Sequence, residues 1–202
     1  VNGNLKKTQE LAKKYNVKNK DSYLLTFGGN EPMYVKELIK SLKHKNKPVA
    51  IDKFEKIKIL RTTKIFLDMI RKNFLLIMIT NQPDVSRQKI SKQFVNKTNN
   101  YVKKKLGLDD VFVCFHDNKD RCNCRKPKTG MILDAKKKWN IDVKNSFLIG
   151  DREKDIIAGK NVGCINYFID YNYSEKKPKK SICKYVDSFS QAIKHIKQTN
   201  YE

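Results

Sequence analysis

The 202-residue sequence has no long apolar run: its longest uninterrupted apolar stretch, Phe74–Ile79, is six residues. A helix that crosses a bilayer needs about 20 apolar residues, so we expect no membrane span. The opening residues Val1-Asn2-Gly3 contain no basic and then apolar leader. We therefore expect a cytoplasmic protein with no membrane partner. The composition, 39% hydrophobic and 32% charged, is that of a globular chain.

Acidic residues are scarce, with 21 Asp and Glu against 44 Lys and Arg, so the formal net charge is +23. A dense basic face would favour nucleic-acid binding through the release of counterions from phosphate groups. Only six of the 44 basic residues are arginine, however, and the lysines are spread from Lys6 to Lys197. Arginine is the side chain that best matches phosphate geometry. We expect no nucleic-acid partner.

Cysteine is also sparse, and the five cysteines are an odd number, which argues against a disulfide framework. Three of them lie with one histidine within eleven residues, as Cys114-x-His116 and Cys122-x-Cys124. Three thiolates and an imidazole at this spacing are typical of a closed, four-coordinate structural Zn²⁺ site. The residues between them, 117–121, are all polar and cannot form a core of their own. We predict a zinc-binding loop over residues 114–124.

Apolar runs alternate with amphipathic stretches along the chain, which predicts a doubly wound parallel α/β sheet. The predicted strands are Tyr23–Phe27, Phe74–Thr80, Val111–Phe115, Ser146–Gly150 and Ile165–Asp170. The predicted helices are Thr62–Arg71, Ser86–Leu106, Gly130–Trp139, Asp155–Asn161 and a closing helix over 188–198. We predict a helical extension over residues 1–22 and one domain over 23–202.

Ligands in such sheets bind beyond the carboxyl ends of the strands, so the residues that follow each strand are site candidates. Thr80-Asn81-Gln82-Pro83 follows one strand and offers a hydroxyl and amides for a phosphoryl group, or simply a turn. Asp151 follows another strand and precedes Asp155 by four residues. This pair suits Mg²⁺, although Asp151 could equally cap the next helix.

Arg125 and Lys126 directly follow the last cysteine of the zinc-binding loop. An anchored arginine provides a planar fork and a lysine provides a point charge, and together they can bind a phosphorylated substrate. Pro127 restricts the backbone after them, and Thr129-Gly130 opens the next helix.

Taken together, these residues resemble the haloacid dehalogenase-like phosphatases, and among them the D-glycero-D-manno-heptose 1,7-bisphosphate phosphatase group, related to histidinol-phosphate phosphatases. The resemblance runs from about Lys47 to Tyr173 and more loosely to Ile196. It is carried by residues 79–87, 114–127, 150–155 and 158–164. It implies a sheet without a large cap domain and with a zinc-bound loop beside the site.

The resemblance also implies a role for each matching residue. Thr80, Asn81 and Lys126 match the catalytic residues that hold and neutralise the phosphoryl group. Gln82, Pro83 and Arg125 match residues that contact the substrate. Asp151 matches a Mg²⁺ ligand with Asp155 in support, and the zinc ligands are Cys114, His116, Cys122 and Cys124. Enzymes of this kind form an aspartyl-phosphate that water then hydrolyses.

The nucleophile that the resemblance implies is missing, because no Asp-x-Asp occurs in the sequence. If Tyr23–Phe27 is the first strand, Thr26–Gly29 takes the place of Asp-x-Asp-Gly. An ungapped count back from Lys47 puts Met33 and Val35 there instead. Three explanations remain: the motif lies upstream of the given sequence, the chain binds sugar phosphates without hydrolysis, or another group replaces the aspartates.

The function implied by the resemblance is Mg²⁺-dependent removal of the 7-phosphate from heptose 1,7-bisphosphate, in the supply of heptose for surface lipopolysaccharide. Two other functions remain open. One is a catalytically inactive protein that binds a sugar phosphate or a protein partner, and the other is a phosphatase of histidinol phosphate or of nucleic-acid ends. We expect a monomer.

Overall fold

A computed structural model of the chain describes residues 23–28, 51, 53–57, 59 and 61–199. The described residues form one six-stranded sheet in which all neighbouring strands are parallel. Its strands are β1 (Tyr23–Gly28), β2 (Phe74–Asn81), β3 (Asp110–Cys114), β4 (Phe147–Gly150), β5 (Ile165–Ile169) and β6 (Lys184–Val186). Their order in the sheet is β3-β2-β1-β4-β5-β6. The predicted doubly wound fold is confirmed.

Five α-helices connect or follow these strands in the part of the chain that the structure describes. They are α1 (Arg61–Ile70), α2 (Lys92–Leu106), α3 (Gly130–Trp139), α4 (Glu153–Val162) and α5 (Phe189–Thr199). Short 3-10 turns occur at Phe54–Lys56, Asn118–Asp120 and Lys180–Ile182. None of the described helices is both long and apolar enough to cross a bilayer.

The helices cover both faces of the sheet, which explains why β2 is an unbroken apolar run. Alternate side chains of a strand point to opposite faces. Leu76 and Met78 therefore pack with α1, α2 and α5, whereas Ile77 and Ile79 pack with α3 and α4. All four side chains are at most 2% exposed. Burial of one such side chain stabilises the fold by roughly 1.5–3 kcal/mol.

Two elements differ from the sequence predictions. The helix predicted over Ser86–Leu106 begins only at Lys92, because the Ser91 hydroxyl accepts a hydrogen bond from the Phe94 backbone N–H at 3.0 Å and so caps the helix there. Turns occupy the residues before it. Strand β6 was not predicted, since three residues are too few to show a period.

The strands that follow β1 are added first on one side of it and then on the other, since β1 pairs with β2 on one side and with β4 on the other. Such a switch point is where a parallel sheet opens a crevice at its carboxyl edge. The residues after β2 and β4 therefore flank one crevice. The predicted helix over 1–22, and Met33 and Val35, lie outside the described residues.

Candidate active site and metal loop

Lys126 is the buried centre of the candidate site, with 2% of the residue exposed. Its ammonium group donates a hydrogen bond to the Ile79 carbonyl oxygen at 2.9 Å. It also forms an ion pair with Asp155 Oδ1 at 2.7 Å, and both side chains are 1% exposed. Lys126 thus links the end of β2 to the first turn of α4. The direct pairing with Asp155 was not predicted from the sequence.

Asn81 holds the backbone of Lys126 in place. Its side-chain Nδ2 donates to the Lys126 carbonyl oxygen at 3.1 Å, and its Oδ1 accepts from the Lys126 N–H at 3.0 Å. The amide is therefore used to position the lysine. Thr80, beside it, is 1% exposed, and its Oγ1 accepts a hydrogen bond from Gln82 Nε2 at 3.1 Å. The phosphate-binding roles of Thr80 and Asn81 stay predictions.

Asp151 is a buried carboxyl at the carboxyl end of β4. Burial, and after it the nearby Asp155 charge, raise its pKa to about 7 against the opposing effects of Lys126 and Arg152. The capping alternative is wrong, because Arg152 occupies the cap position of α4. Within the described chain, Oδ1 of Asp151 has no hydrogen-bond partner.

Oδ2 of Asp155 is likewise buried without a hydrogen-bond partner in the described chain. Two such oxygens on neighbouring acids are the ligand type that Mg²⁺ binds. Their burial also requires a compensating charge. The residues present therefore fit a hard divalent cation held by Asp151, with Asp155 beside it.

Gly150 allows β4 to approach α4 closely at this point. A Cβ added at residue 150 would lie 2.6 Å from Cβ of Asp155, a separation that real side chains do not show. Any larger residue would displace Asp155, and with it the ion pair to Lys126. The glycine before Asp151 is therefore needed for packing.

The metal loop, residues 114–124, brings together the four predicted zinc ligands. The ligand atoms of Cys114, His116, Cys122 and Cys124 all lie within 4.8 Å of one another. The Cys114 and Cys122 sulfurs are 3.7 Å apart, and His116 Nδ1 is 3.3 Å from the Cys124 sulfur. Two thiolates about 2.3 Å from one tetrahedral Zn²⁺ would lie about 3.8 Å apart. The donor set and spacing fit a metal ion.

Arg125 contacts the metal loop rather than the crevice. Its Nε donates to Asn118 Oδ1 at 2.9 Å and its Nη1 donates to the His116 carbonyl oxygen at 3.2 Å. The side chain is 12% exposed. The predicted contact between Arg125 and substrate stays untested, and the visible role of the guanidinium is to hold the loop.

Gln82 and Pro83, the other predicted substrate contacts, are half-buried. The Gln82 backbone N–H donates to the Cys114 carbonyl oxygen at 2.7 Å, which ties the end of β2 to the first residue of the metal loop. Substrate contact by these two residues stays a prediction.

An ion pair that was not predicted from the sequence lies beside Asp151. Arg152 forms an ion pair with Glu175, and its Nε lies 2.7 Å from Glu175 Oε2. Both residues line a small cavity with Asp151, Asp170 and Tyr173. Glu175 is more than twenty residues away in sequence, so no local pattern could have indicated it.

The register of β1 corrects the place proposed for the missing aspartates. Thr26 is paired with Ile77 of β2 and with Leu148 of β4, both 0% exposed. Both partners lie three residues before the site residue of their strand. Thr26 is therefore inside the sheet and not at its edge, so Thr26–Gly29 cannot take the Asp-x-Asp-Gly place.

Gly28, by contrast, is the last residue of β1 and is paired with Ile79. It lies one residue beyond the pair between Phe27 and Ile149, next to Gly150. The Ile79 carbonyl accepts from Lys126, and Gly150 packs against Asp155. Position 28 is thus the place on β1 closest in register to the buried ion pair.

Lys126→Met should lower the free energy of unfolding by about 3–5 kcal/mol, because it leaves Asp155 as an uncompensated buried charge. Urea denaturation of the metal-free protein measures this. Lys160→Met, on the exposed side of α4, is the matched control and should change stability by less than about 0.5 kcal/mol. Equal losses in the two variants would contradict the role given to the buried pair.

Comparisons with known proteins agree with this architecture. Residues 12–163 match the family model described as haloacid dehalogenase-like hydrolase. The crystal structure of D,D-heptose 1.7-bisphosphate phosphatase from B. bronchiseptica, complexed with magnesium and phosphate, superposes with a TM-score of 0.72. The superposition covers 88% of this chain and 99% of that chain. At 16% sequence identity it shows a similarity of fold.

Two curated relatives show similarity in sequence. The chain is 35% identical over 137 residues to the histidine biosynthesis bifunctional protein HisB of Blochmanniella floridana, covering 64% of this chain and 37% of that protein. It is 34% identical over 131 residues to the D-glycero-beta-D-manno-heptose-1,7-bisphosphate 7-phosphatase of Helicobacter pylori strain 26695, covering 61% of this chain and 74% of that protein.

The chain spans 37% to 56% of the length of the first three curated relatives that it matches. The family model, however, covers about three quarters of the sequence. The parallel sheet, the crevice at its switch point and this match lead to one conclusion: the chain belongs to the haloacid dehalogenase-like hydrolase family.

Proposed function

We propose that the chain is a Mg²⁺-dependent phosphatase of a small phosphorylated sugar, with heptose 1,7-bisphosphate as its substrate and the 7-phosphate as the group removed. The observation that carries the proposal is the buried Lys126 beside Thr80 and two buried acids at the switch point of the sheet. A cation and a divalent-metal ligand at one crevice are what the transfer of a phosphoryl group requires.

Each residue then has a defined part. Thr80 offers its hydroxyl to a phosphoryl oxygen, and Asn81 holds the Lys126 backbone so that the ammonium group can reach the same oxygens. Asp151 would hold Mg²⁺, with Asp155 keeping the Lys126 ammonium group oriented through their ion pair. When bound, Mg²⁺ neutralises negative charge on the phosphoryl group.

The metal loop is proposed to bind Zn²⁺ as a structural ion through all four of its ligands. A site filled by four protein ligands leaves no open position for catalysis. Its contribution would be to fix the end of the loop where Arg125 and Lys126 follow directly. The four-ligand distances and the lack of any hydrophobic side chain in 117–121 support this role.

The attacking carboxylate is the open part of the mechanism, because the sequence has no Asp-x-Asp. Without a nucleophile and a general acid or base, the covalent route is lost. The hydrolase proposal therefore requires a carboxylate that reaches the phosphorus atom, either from a motif upstream of the given sequence or from another group of this chain. The alternative is a protein that binds the phosphorylated sugar at this site and does not hydrolyse it.

The choice of substrate rests on the relatives. Heptose-bisphosphate phosphatases and the bifunctional HisB proteins are both among them. Heptose 1,7-bisphosphate is proposed first and histidinol phosphate second. We propose that the protein acts in the cytoplasm and as a monomer.

Phosphate release from heptose 1,7-bisphosphate, with and without Mg²⁺, tests the proposal, with histidinol phosphate assayed in parallel. Turnover should require Mg²⁺ and should fall at least about 100-fold in Asp151→Asn, which removes the proposed metal ligand. Asp134→Asn, an exposed change on α3, is the matched control and should keep full activity. Binding of the sugar without turnover, in folded protein, would overturn hydrolysis and support the binding protein.

A further inference from the structure

The loop after β2, residues 82–91, is joined to the metal loop by side chains that the proposed function does not use. Arg87 binds Asp117 with two hydrogen bonds, from Nε at 2.7 Å and from Nη2 at 2.9 Å. Ser86 Oγ donates to Asp120 Oδ2 at 2.6 Å. Both acids lie on the polar stretch of the metal loop between His116 and Cys122.

The same two residues explain why the helix predicted from Ser86 does not form there. Turns held by hydrogen bonds such as that from the Arg87 N–H to the Pro83 carbonyl, at 3.1 Å, replace it. In this conformation Arg87 and Ser86 reach across to the metal loop. The segment therefore holds the metal loop through the side chains of Ser86 and Arg87.

Asp117 is the point where the contacts converge. Its Oδ1 accepts from the Asn118 N–H at 2.8 Å, and its own N–H donates to Asp120 Oδ2 at 2.7 Å. The two acids thus form a capping box at the start of the short turn Asn118–Asp120. Because His116 is the residue directly before Asp117, a fixed Asp117 also fixes the backbone that presents the imidazole.

We propose that Arg87 is a positioning residue for the metal: through Asp117 it holds the loop in the conformation in which His116 and the three cysteines bind one ion. Outer partners of this kind typically contribute 10-fold to 100-fold to metal affinity. Arg87 is 41% exposed, and an exposed ion pair adds little to fold stability. Its effect should therefore appear in metal retention and not in folding. The inference rests on the proposed metal site.

The test measures zinc content, and the rate at which Zn²⁺ passes from the protein to a chromogenic chelator in excess. Arg87→Gln should release zinc about tenfold faster or more than the unchanged protein. Arg87→Lys keeps the charge but not the two-bond fork, so it should rescue only part of the loss. Lys89→Gln, an exposed residue of the same loop, removes the same charge and should release zinc at the original rate.

A cycle with Asp117→Asn separates positioning from a general effect of charge. The double variant with Arg87→Gln should release zinc no faster than the faster single variant, since both changes break the same contact. The metal-free melting temperature of Arg87→Gln should match that of Lys89→Gln. Zinc release from Arg87→Gln at the original rate, additive effects in the double variant, or a metal-free melting temperature lower in Arg87→Gln than in Lys89→Gln would each overturn the role. If the protein without substitutions binds no zinc, the proposed metal site itself would be wrong.

Discussion

Replacing Gly28 and Asn30 by aspartate is expected to raise Mg²⁺-dependent phosphate release by about 100-fold or more, the smallest gain that a well-placed general acid or base usually brings. The two changes restore the Asp-x-Asp spacing. The first carboxylate would stand at the end of β1 in register with Ile79, whose carbonyl accepts from Lys126. An attacking oxygen beside that ammonium group and the Asp151 metal position completes the constellation for phosphoryl transfer.

The matched control is the double change Thr26→Asp with Gly28→Asp, which has the same residue types and spacing two positions earlier. Thr26 is in register with Ile77 and Leu148, both 0% exposed. A carboxylate at that depth has no compensating partner in register, so the protein should lose stability and gain no activity. If this control gained activity and Gly28→Asp with Asn30→Asp did not, the register assignment would be wrong.

Cys122→Ser is expected to lower zinc affinity by more than about 100-fold, because it removes a thiolate that binds the metal directly. This loss is larger than the loss expected from removing a residue that only contacts a ligand. The bound zinc after purification should fall from one ion per chain to a small fraction. The loop would then be held mainly by Arg87, Arg125 and its own capping contacts. Because Lys126 follows this loop, phosphate binding should weaken in the same variant.

Cys183→Ser is the matched control for that experiment. Cys183 is also half-buried, but it lies outside the metal loop and precedes β6. Its replacement should leave the zinc content at the original level. Zinc content that stays the same in Cys122→Ser would defeat the ligand assignment. An equal loss in both variants would point to general unfolding instead.

Much of the crevice could be predicted from the sequence, because its residues follow strands that are recognisable as apolar runs. The apolar runs of β2 and β4 are buried on both faces of the sheet. Such runs identify a buried strand from its own residues, whatever its neighbours in the sheet are. Thr80 and Asp151 follow them directly. Helix α3 was predicted with the bounds that the structure has, from Gly130 to Trp139.

The errors at Ser86 and at the end of β1 have one physical origin, which is that the local pattern competes with contacts made elsewhere in the chain. Polar residues at helical spacing extended the predicted helix back to Ser86. In the structure Ser86 and Arg87 bind Asp120 and Asp117, about thirty residues away. Likewise, the apolar stretch of β1 is clear, but its carboxyl end is set by pairing with β2 and β4 and not by its own residues.

The sequence by itself determined the alternation of strands and helices and the metal loop, because periodicity and ligand spacing are local properties of the chain. Only the tertiary structure decided that Lys126 pairs with Asp155, that Asn81 holds the Lys126 backbone, and that Gly28 ends its strand. Each of these contacts joins residues far apart in sequence. Their geometry follows from the order and register of the strands, which no single segment specifies.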